Sequence, residues 1–144
     1  ETPCLLIDMD ALDHNFHIMS DTYKDTECKL RAHTKNIKSP FLAHEQIRLG
    51  GTVGGVCTAK ISEAEVMIDG GIKDILIPNQ IVTGDKIARL CGLAKRADIT
   101  VAIDNISNVR LISEIADIQE VTIGVVIEVD TTSRRMIVDL PDGL

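Results

Sequence analysis

The chain has no surplus of positive charge, no long apolar run and no paired cysteines, and each absence removes a class of function. Its 15 Lys and Arg against 22 Asp and Glu leave a formal net charge of -7 and a pI near 5.0. A surface that holds nucleic acid or anionic lipid needs the opposite sign, and no basic stripe interrupts the sequence, so neither partner is expected. Hydrophobic residues make up 44% of the 144, but they come in short segments. None approaches the roughly 20 residues that cross a bilayer. The first residues carry no signal-peptide pattern. Cys4, Cys28, Cys57 and Cys91 lie far apart with no C-x-x-C spacing, which fits reduced thiols in a cytoplasmic protein, with core packing as their default role. Linkers, low-complexity tracts and charge blocks are missing too, so the chain reads as one continuous unit long enough to bury a core.

What is present is an alternation. Short apolar, β-rich runs occur at Cys4–Ile7, Lys29–His33, Val53–Cys57, Asp74–Ile77, Thr100–Ile103 and Val121–Val129. After the first they recur about every two dozen residues, the spacing of βα units in a parallel sheet or barrel. Helical patterns fill the gaps. Asp10 is placed to cap a helix whose Leu12, Phe16, Met19 and Tyr23 form one stripe, and Ser39-Pro40 offers an N-cap with proline at the first helical position. Ser62 to Glu65 reads as a capping box, and Gly50-Gly51 and Gly70-Gly71 as helix stops. Thr83 and Asn105 are the expected caps of the last two helices, with Ile87, Leu90 and Ala94, then Val109, Ile112 and Ala116, as buried stripes. The runs from Lys29 onward are expected to be parallel neighbours in sequential order, with helices outside and the Cys4–Ile7 strand standing apart.

In such an array the loops after the strands gather at one end, and chemistry gathers with them. The strand ends read His33-Thr34-Lys35, Cys57-Thr58-Ala59-Lys60, Ile77-Pro78-Asn79-Gln80, Ile103-Asp104-Asn105 and Glu128-Val129-Asp130, each passing directly from apolar to polar. Strand alternation would put Arg31, His33 and Lys35 on one face. Such a grouping suits the mouth of a barrel, where a partly desolvated lysine amine can attack a carbonyl. Singly, each residue has a plainer reading: Lys35 as a solvated charge, Asp104 and Asn105 as caps, Thr58 and Lys60 as turn residues, Asn79 as the holder of its own turn. His14 and His17, spaced i, i+3 on a helix, lack a third ligand and read as a solvated face. His44 has no motif around it.

Several ordered motifs carry a family resemblance over essentially the whole chain. Thr2-Pro3-Cys4-Leu5-Leu6-Ile7-Asp8-Met9-Asp10-Ala11-Leu12, then Arg31-Ala32-His33-Thr34-Lys35, then Cys57-Thr58-Ala59-Lys60 leading into Ser62-Glu63-Ala64-Glu65, then Asp74 to Asn79 and Glu128-Val129-Asp130 with Arg135 downstream, together resemble the N-terminal part of the D-threonine aldolase and D-serine dehydratase-like group. That group belongs to the alanine-racemase-type (fold type III) pyridoxal-phosphate enzymes. The resemblance implies an α/β fold, the N-terminal part of a (β/α)8 TIM-type barrel, with a C-terminal β domain beyond this chain. Residues 1–10 would then be a strand associated with that second domain, and 11–144 a partial cofactor-binding barrel.

The same resemblance implies that Lys35 holds pyridoxal 5'-phosphate covalently and is catalytic, with His33 beside the cofactor and Arg135 reaching the cofactor or substrate zone. Asn79 and Thr58 would complete the cofactor contacts. The chain departs from the pattern at Asn36-Ile37, where relatives carry a second histidine before Lys38. It departs again at Thr131 to Ile137, which has no glycine and leaves Arg134 beside Arg135 as the alternative match. The implied activity is a lyase reaction on D-β-hydroxy amino acids, retro-aldol cleavage to glycine and an aldehyde, in a homodimer. Dehydratase, racemase, a non-catalytic pyridoxal-phosphate carrier and an unrelated βα-barrel binding module are the alternatives. The remaining barrel strands, the phosphate-binding loop, and the histidine and aspartate for a divalent metal (Mg or Mn) are expected beyond Leu144, and this segment alone is not expected to catalyse.

Overall fold

In the computed structural model, which describes residues 2–4 and 6–129, the expected alternation is found. Helix α1 (Met9–Tyr23) leads into β1 (Leu30–His33), α2 (Pro40–Leu49), β2 (Thr52–Cys57), α3 (Ile61–Asp69) and β3 (Asp74–Ile77). Then follow α4 (Gly84–Ala94), β4 (Asp98–Ile103), α5 (Ile106–Gln119) and β5 (Gly124–Ile127). The strands form one sheet in the order β1-β2-β3-β4-β5, every neighbouring pair parallel. Each helix between strands is a crossover, as a parallel connection demands.

Local chemistry sets several helix boundaries where the sequence placed them. Ser39 Oγ accepts from the Leu42 amide with Pro40 at the start of α2, and Asn105 Oδ1 accepts from the Ser107 amide at the start of α5. Both satisfy an amide that has no partner within the helix. Helices α2 and α3 stop at Gly50 and Gly70.

Three expectations are corrected. The cap of α1 is Asp8, whose Oδ1 accepts from the Ala11 amide at 3.0 Å, so Asp10 lies inside the first turn, where its negative charge faces the positive end of the helix dipole. Helix α3 starts one residue before the anticipated box. Lys60 stands at its cap without a side-chain bond, and Glu63 reaches back to the Ala59 amide at 2.8 Å. Thr83 does stand at the cap of α4 as expected, by backbone conformation and without a side-chain bond to a helix amide. Finally, Cys4, Leu6 and Ile7 lie in no strand, and Leu6 is 88% exposed. A strand exists only through hydrogen bonds to a neighbour, and no described strand lies beside them.

The pleat divides the sheet's side chains between two environments. Val56, Ile75, Ile77, Ile99, Val101 and Ile103 point one way and join Met67, Ile68, Ile87, Leu90, Cys91 and Ile112 of the helices in one buried cluster. On the other face Arg31 makes a two-bond ion pair with Asp74, 2.7 and 2.9 Å. This pair joins β1 to β3 by passing over β2, and it crosses at Gly55, where a Cβ would stand 2.5 Å from both the guanidinium and the carboxylate. Among the described strands β1 and β5 each have a neighbour on one side only, and Val125, Val126 and Ile127 of β5 are exposed.

Gly55→Ala is expected to force the Arg31–Asp74 pair apart and lower stability by about 1–3 kcal/mol. Equilibrium unfolding in urea measures this, and an unchanged midpoint would show that the pair yields without cost.

Candidate active site

Because the strands are parallel, their carboxyl ends form one rim, and the turns that follow are fastened to each other across it. The chain leaves β1 at His33. Thr34, 1% exposed, bonds the Cys57 carbonyl twice, through its amide at 2.9 Å and its hydroxyl at 3.1 Å. The Lys38 amide returns to the Thr34 carbonyl at 2.8 Å, closing a turn in which Lys38 adopts a left-handed conformation with φ 45. Lys35 rides in that turn and is exposed. It therefore does not share a strand face with Arg31 and His33 as alternation suggested, because the strand has already ended. Among the described residues none makes an ion pair or hydrogen bond with the Lys35 ammonium. Its backbone amide donates to His33 Nδ1 at 3.3 Å.

The turn after β2 is held even more fully. The Thr58 amide donates to the Leu76 carbonyl at 2.9 Å, and its side chain is fully buried with the hydroxyl in no hydrogen bond. Both polar groups of the Ala59 backbone are taken by side chains. Glu63 Oε2 accepts from its N–H at 2.8 Å, and Asn79 Nδ2 donates to its carbonyl at 3.0 Å. Asn79 thus spends an amide hydrogen on fastening the β2 and β3 ends together. Across the rim Gln80 Nε2 donates to Glu128 Oε2 at 2.8 Å, while the Glu128 amide donates to the Ile103 carbonyl at 2.9 Å.

Electrostatics follow from these contacts. Burial, and then the charge of Lys35, hold the His33 imidazole below its ordinary 6.5, with Glu63 opposing them. An Nδ1 that accepts from the Lys35 amide leaves the proton of the neutral ring on Nε2, free to donate. Cys57, aligned with His33 on the neighbouring strand, has its thiol pushed up by burial, so it is no thiolate at neutral pH.

The rim therefore gathers His33, Lys35, Thr58 and Asn79, all expected from the sequence. Arg135 lies outside the described residues. Two participants were not anticipated. Glu63 read as an interior residue of the Ser62–Glu65 capping box, and Asp74 as the first residue of a strand. An acidic residue opening an otherwise apolar strand, on the face that carries Arg31, was the only signal for the latter. His17 contacts Asp13 at 3.4 Å on the exposed side of α1, and among the described residues no three His, Cys, Asp or Glu side chains converge as metal ligands. No described helix is long and apolar enough to cross a membrane.

The family model for the alanine racemase N-terminal domain matches residues 7–136. A 3-hydroxy-D-aspartate aldolase of Paracoccus denitrificans is 40% identical over 136 residues, 94% of this chain and 35% of that protein. A D-threonine aldolase of an Arthrobacter species is 35% identical over 135 residues, again 94% of this chain and 35% of the relative. The crystal structure of D-threonine aldolase from Filomicrobium marinum superposes with a TM-score of 0.89 at 41% identity, covering 94% of this chain and 36% of that one. The chain spans about a third of the length of the curated relatives it matches.

The lowered His33 pKa has a sign that can be measured. The unfolded chain takes up a proton on His33 below pH 6.5 while the folded chain resists it. Stability is therefore unaffected by this group above pH 6.5, and falls as the pH drops from there toward the folded value. An NMR titration of the His33 ring is expected to give a midpoint below 6.5, and His33→Gln to flatten this part of the stability profile. A midpoint at or above 6.5 would contradict the burial described here.

Proposed function

The chain belongs to the alanine racemase N-terminal domain family, and on that premise we propose that it forms the lysine-bearing part of a pyridoxal-phosphate lyase that cleaves D-β-hydroxy amino acids to glycine and an aldehyde. One observation carries the proposal: a lysine amine without a partner among the described residues, exposed at the barrel rim on a turn fixed by four hydrogen bonds.

The residues fit the cofactor. Lys35 would hold it through its amine, the Thr58 hydroxyl is a buried group still lacking a partner among the described residues, and His33 would offer a neutral Nε2–H. Pyridoxal phosphate, when bound, supplies an electron sink for the bond broken at the α-carbon. The chain's own contribution is positional. Thr34 and Lys38 fix the backbone around Lys35, Asn79 and Glu63 fix the turn beside it, and a site held so firmly selects which bond of the substrate breaks. Arg135 belongs to the same proposal as a group reaching cofactor or substrate.

The substrate class rests on the names of the relatives, an aldolase for 3-hydroxy-D-aspartate and another for D-threonine. Both substrates carry the β-hydroxyl that must lose its proton when the Cα–Cβ bond breaks. A divalent metal held by residues outside this chain, assembly as a homodimer, and residues 1–10 lying against a second domain are parts of the same proposal. So is a cytoplasmic location, which the four free cysteines favour.

The test uses the complete enzyme with D-threonine and 3-hydroxy-D-aspartate. Glycine and the matching aldehyde are expected, whereas a keto acid would indicate dehydration, loss of optical activity racemisation, and bound cofactor without turnover a carrier. After borohydride reduction, peptide mapping should find the pyridoxyl group on Lys35, and Lys35→Ala should lose it together with about a thousandfold or more of turnover. Lys35→Arg would not rescue, since a guanidinium stays protonated. A label on Lys38 or Lys60 would overturn the assignment.

A further inference from the structure

Among the described residues, Glu63 is the one carboxylate that touches both the turn after β1, which carries Lys35, and the turn after β2. Its side chain is only 15% exposed, unusual for a glutamate near a helix start. One oxygen, Oε2, accepts from the Ala59 amide at 2.8 Å, and the other, Oε1, lies 4.0 Å from the Lys38 ammonium. Lys38 closes the turn that carries Lys35, and it does so in a left-handed conformation that a side chain other than glycine or asparagine rarely adopts. Ala59 is held from its other side by Asn79. Three strand ends are therefore laced together through one peptide, with Glu63 as the link to the turn of Lys35.

We propose that Glu63 is a positioning residue, binding the turn after β2 to the turn after β1 and so fixing where the Lys35 amine is presented. The idea rests on the role of Lys35 proposed above. The Glu63–Lys38 pair is long and its lysine is 66% exposed, so as a contribution to stability it is slight. Its consequence lies in geometry instead, because a displacement of about 1 Å at a reacting group can cost a hundredfold in rate. The groups facing His33 agree with this placement. Lys35 lowers its proton affinity and Glu63 raises it, while Cys57 lies beside it on β2 and Arg31, paired with Asp74 of β3, shares its face.

The test compares Glu63→Gln, Lys38→Met and the double variant in the complete enzyme. Gln still accepts from the Ala59 amide but cannot pair with Lys38. Each single variant is expected to keep the borohydride-fixed pyridoxyl group on Lys35, to melt near the parent temperature, and to lose about tenfold in kcat with KM within about twofold. The double variant should lose no more than the worse single, since both remove one link. In cofactor-free protein, Glu63→Gln should move the NMR titration midpoint of His33 downward. Normal kcat in both singles, additive losses, or an unmoved His33 midpoint would each overturn the proposal. Should Glu63→Gln fail to fold, Lys38→Met alone must still show the kcat loss. Absence of any label on Lys35 in the parent would sink the reading of Lys35 itself, and the His33 midpoint would still decide the position of Glu63.

Discussion

All five described strands run in one direction, and this single constraint orders the rest of the molecule. Parallel strands place every carboxyl end on the same rim, oblige each connection to cross back through a helix, and bury one side of the sheet under those helices. The buried side is paid for by aliphatic residues: Ile75 and Ile77, Ile99 and Val101 lie against Met67, Ile87 and Leu90 with almost no exposed area. With that side committed to packing, polar groups are confined to the opposite face and to the rim. The Arg31–Asp74 pair occupies the first, and the turns bearing Lys35, Thr58 and Asn79 occupy the second.

Much of this was legible in the sequence because it depends on neighbours along the chain. Ser39 with Pro40, Asn105, and the glycines at 50 and 70 act through hydrogen bonds and backbone freedom only a few residues away, so composition reveals them. The β-rich runs were recognisable for the same reason, and β3 came out with the expected bounds. Where two neighbouring residues could each begin the helix, pattern is a weaker guide. Asp8 and Asp10 are both good caps, and only the path of the chain into α1 decides between them. The turn containing Ser62 had the same ambiguity, resolved by Glu63 reaching back one residue further than a capping box requires.

The site was legible in its residue types and not in its connections. Lys35 stood out by position after a strand, yet its turn is built by Thr34 bonding Cys57, 23 residues away. Asn79 looked like a possible ligand contact, but half of its amide is occupied by Ala59, 20 residues earlier. Such pairings depend on strand register and twist, which no local pattern encodes. The Asp74 partner of Arg31 was hidden for that reason, being 43 residues distant and two strands over.

The sequential strand order also bears on how the chain acquires its shape. Each strand pairs with the one made just before it, so the sheet can grow in the order of synthesis, one βα unit at a time, with modest loop-closure entropy at each step. The Arg31–Asp74 pair is the exception, because it skips a strand. Arg31 has to wait on an emerging chain until β3 arrives, and during that interval β1 and β2 are joined only by backbone hydrogen bonds and side-chain contacts across one glycine-bearing boundary. A ribosome pausing between β2 and β3 would thus hold a nascent βαβ unit whose Arg31-bearing face lacks its cross-tie.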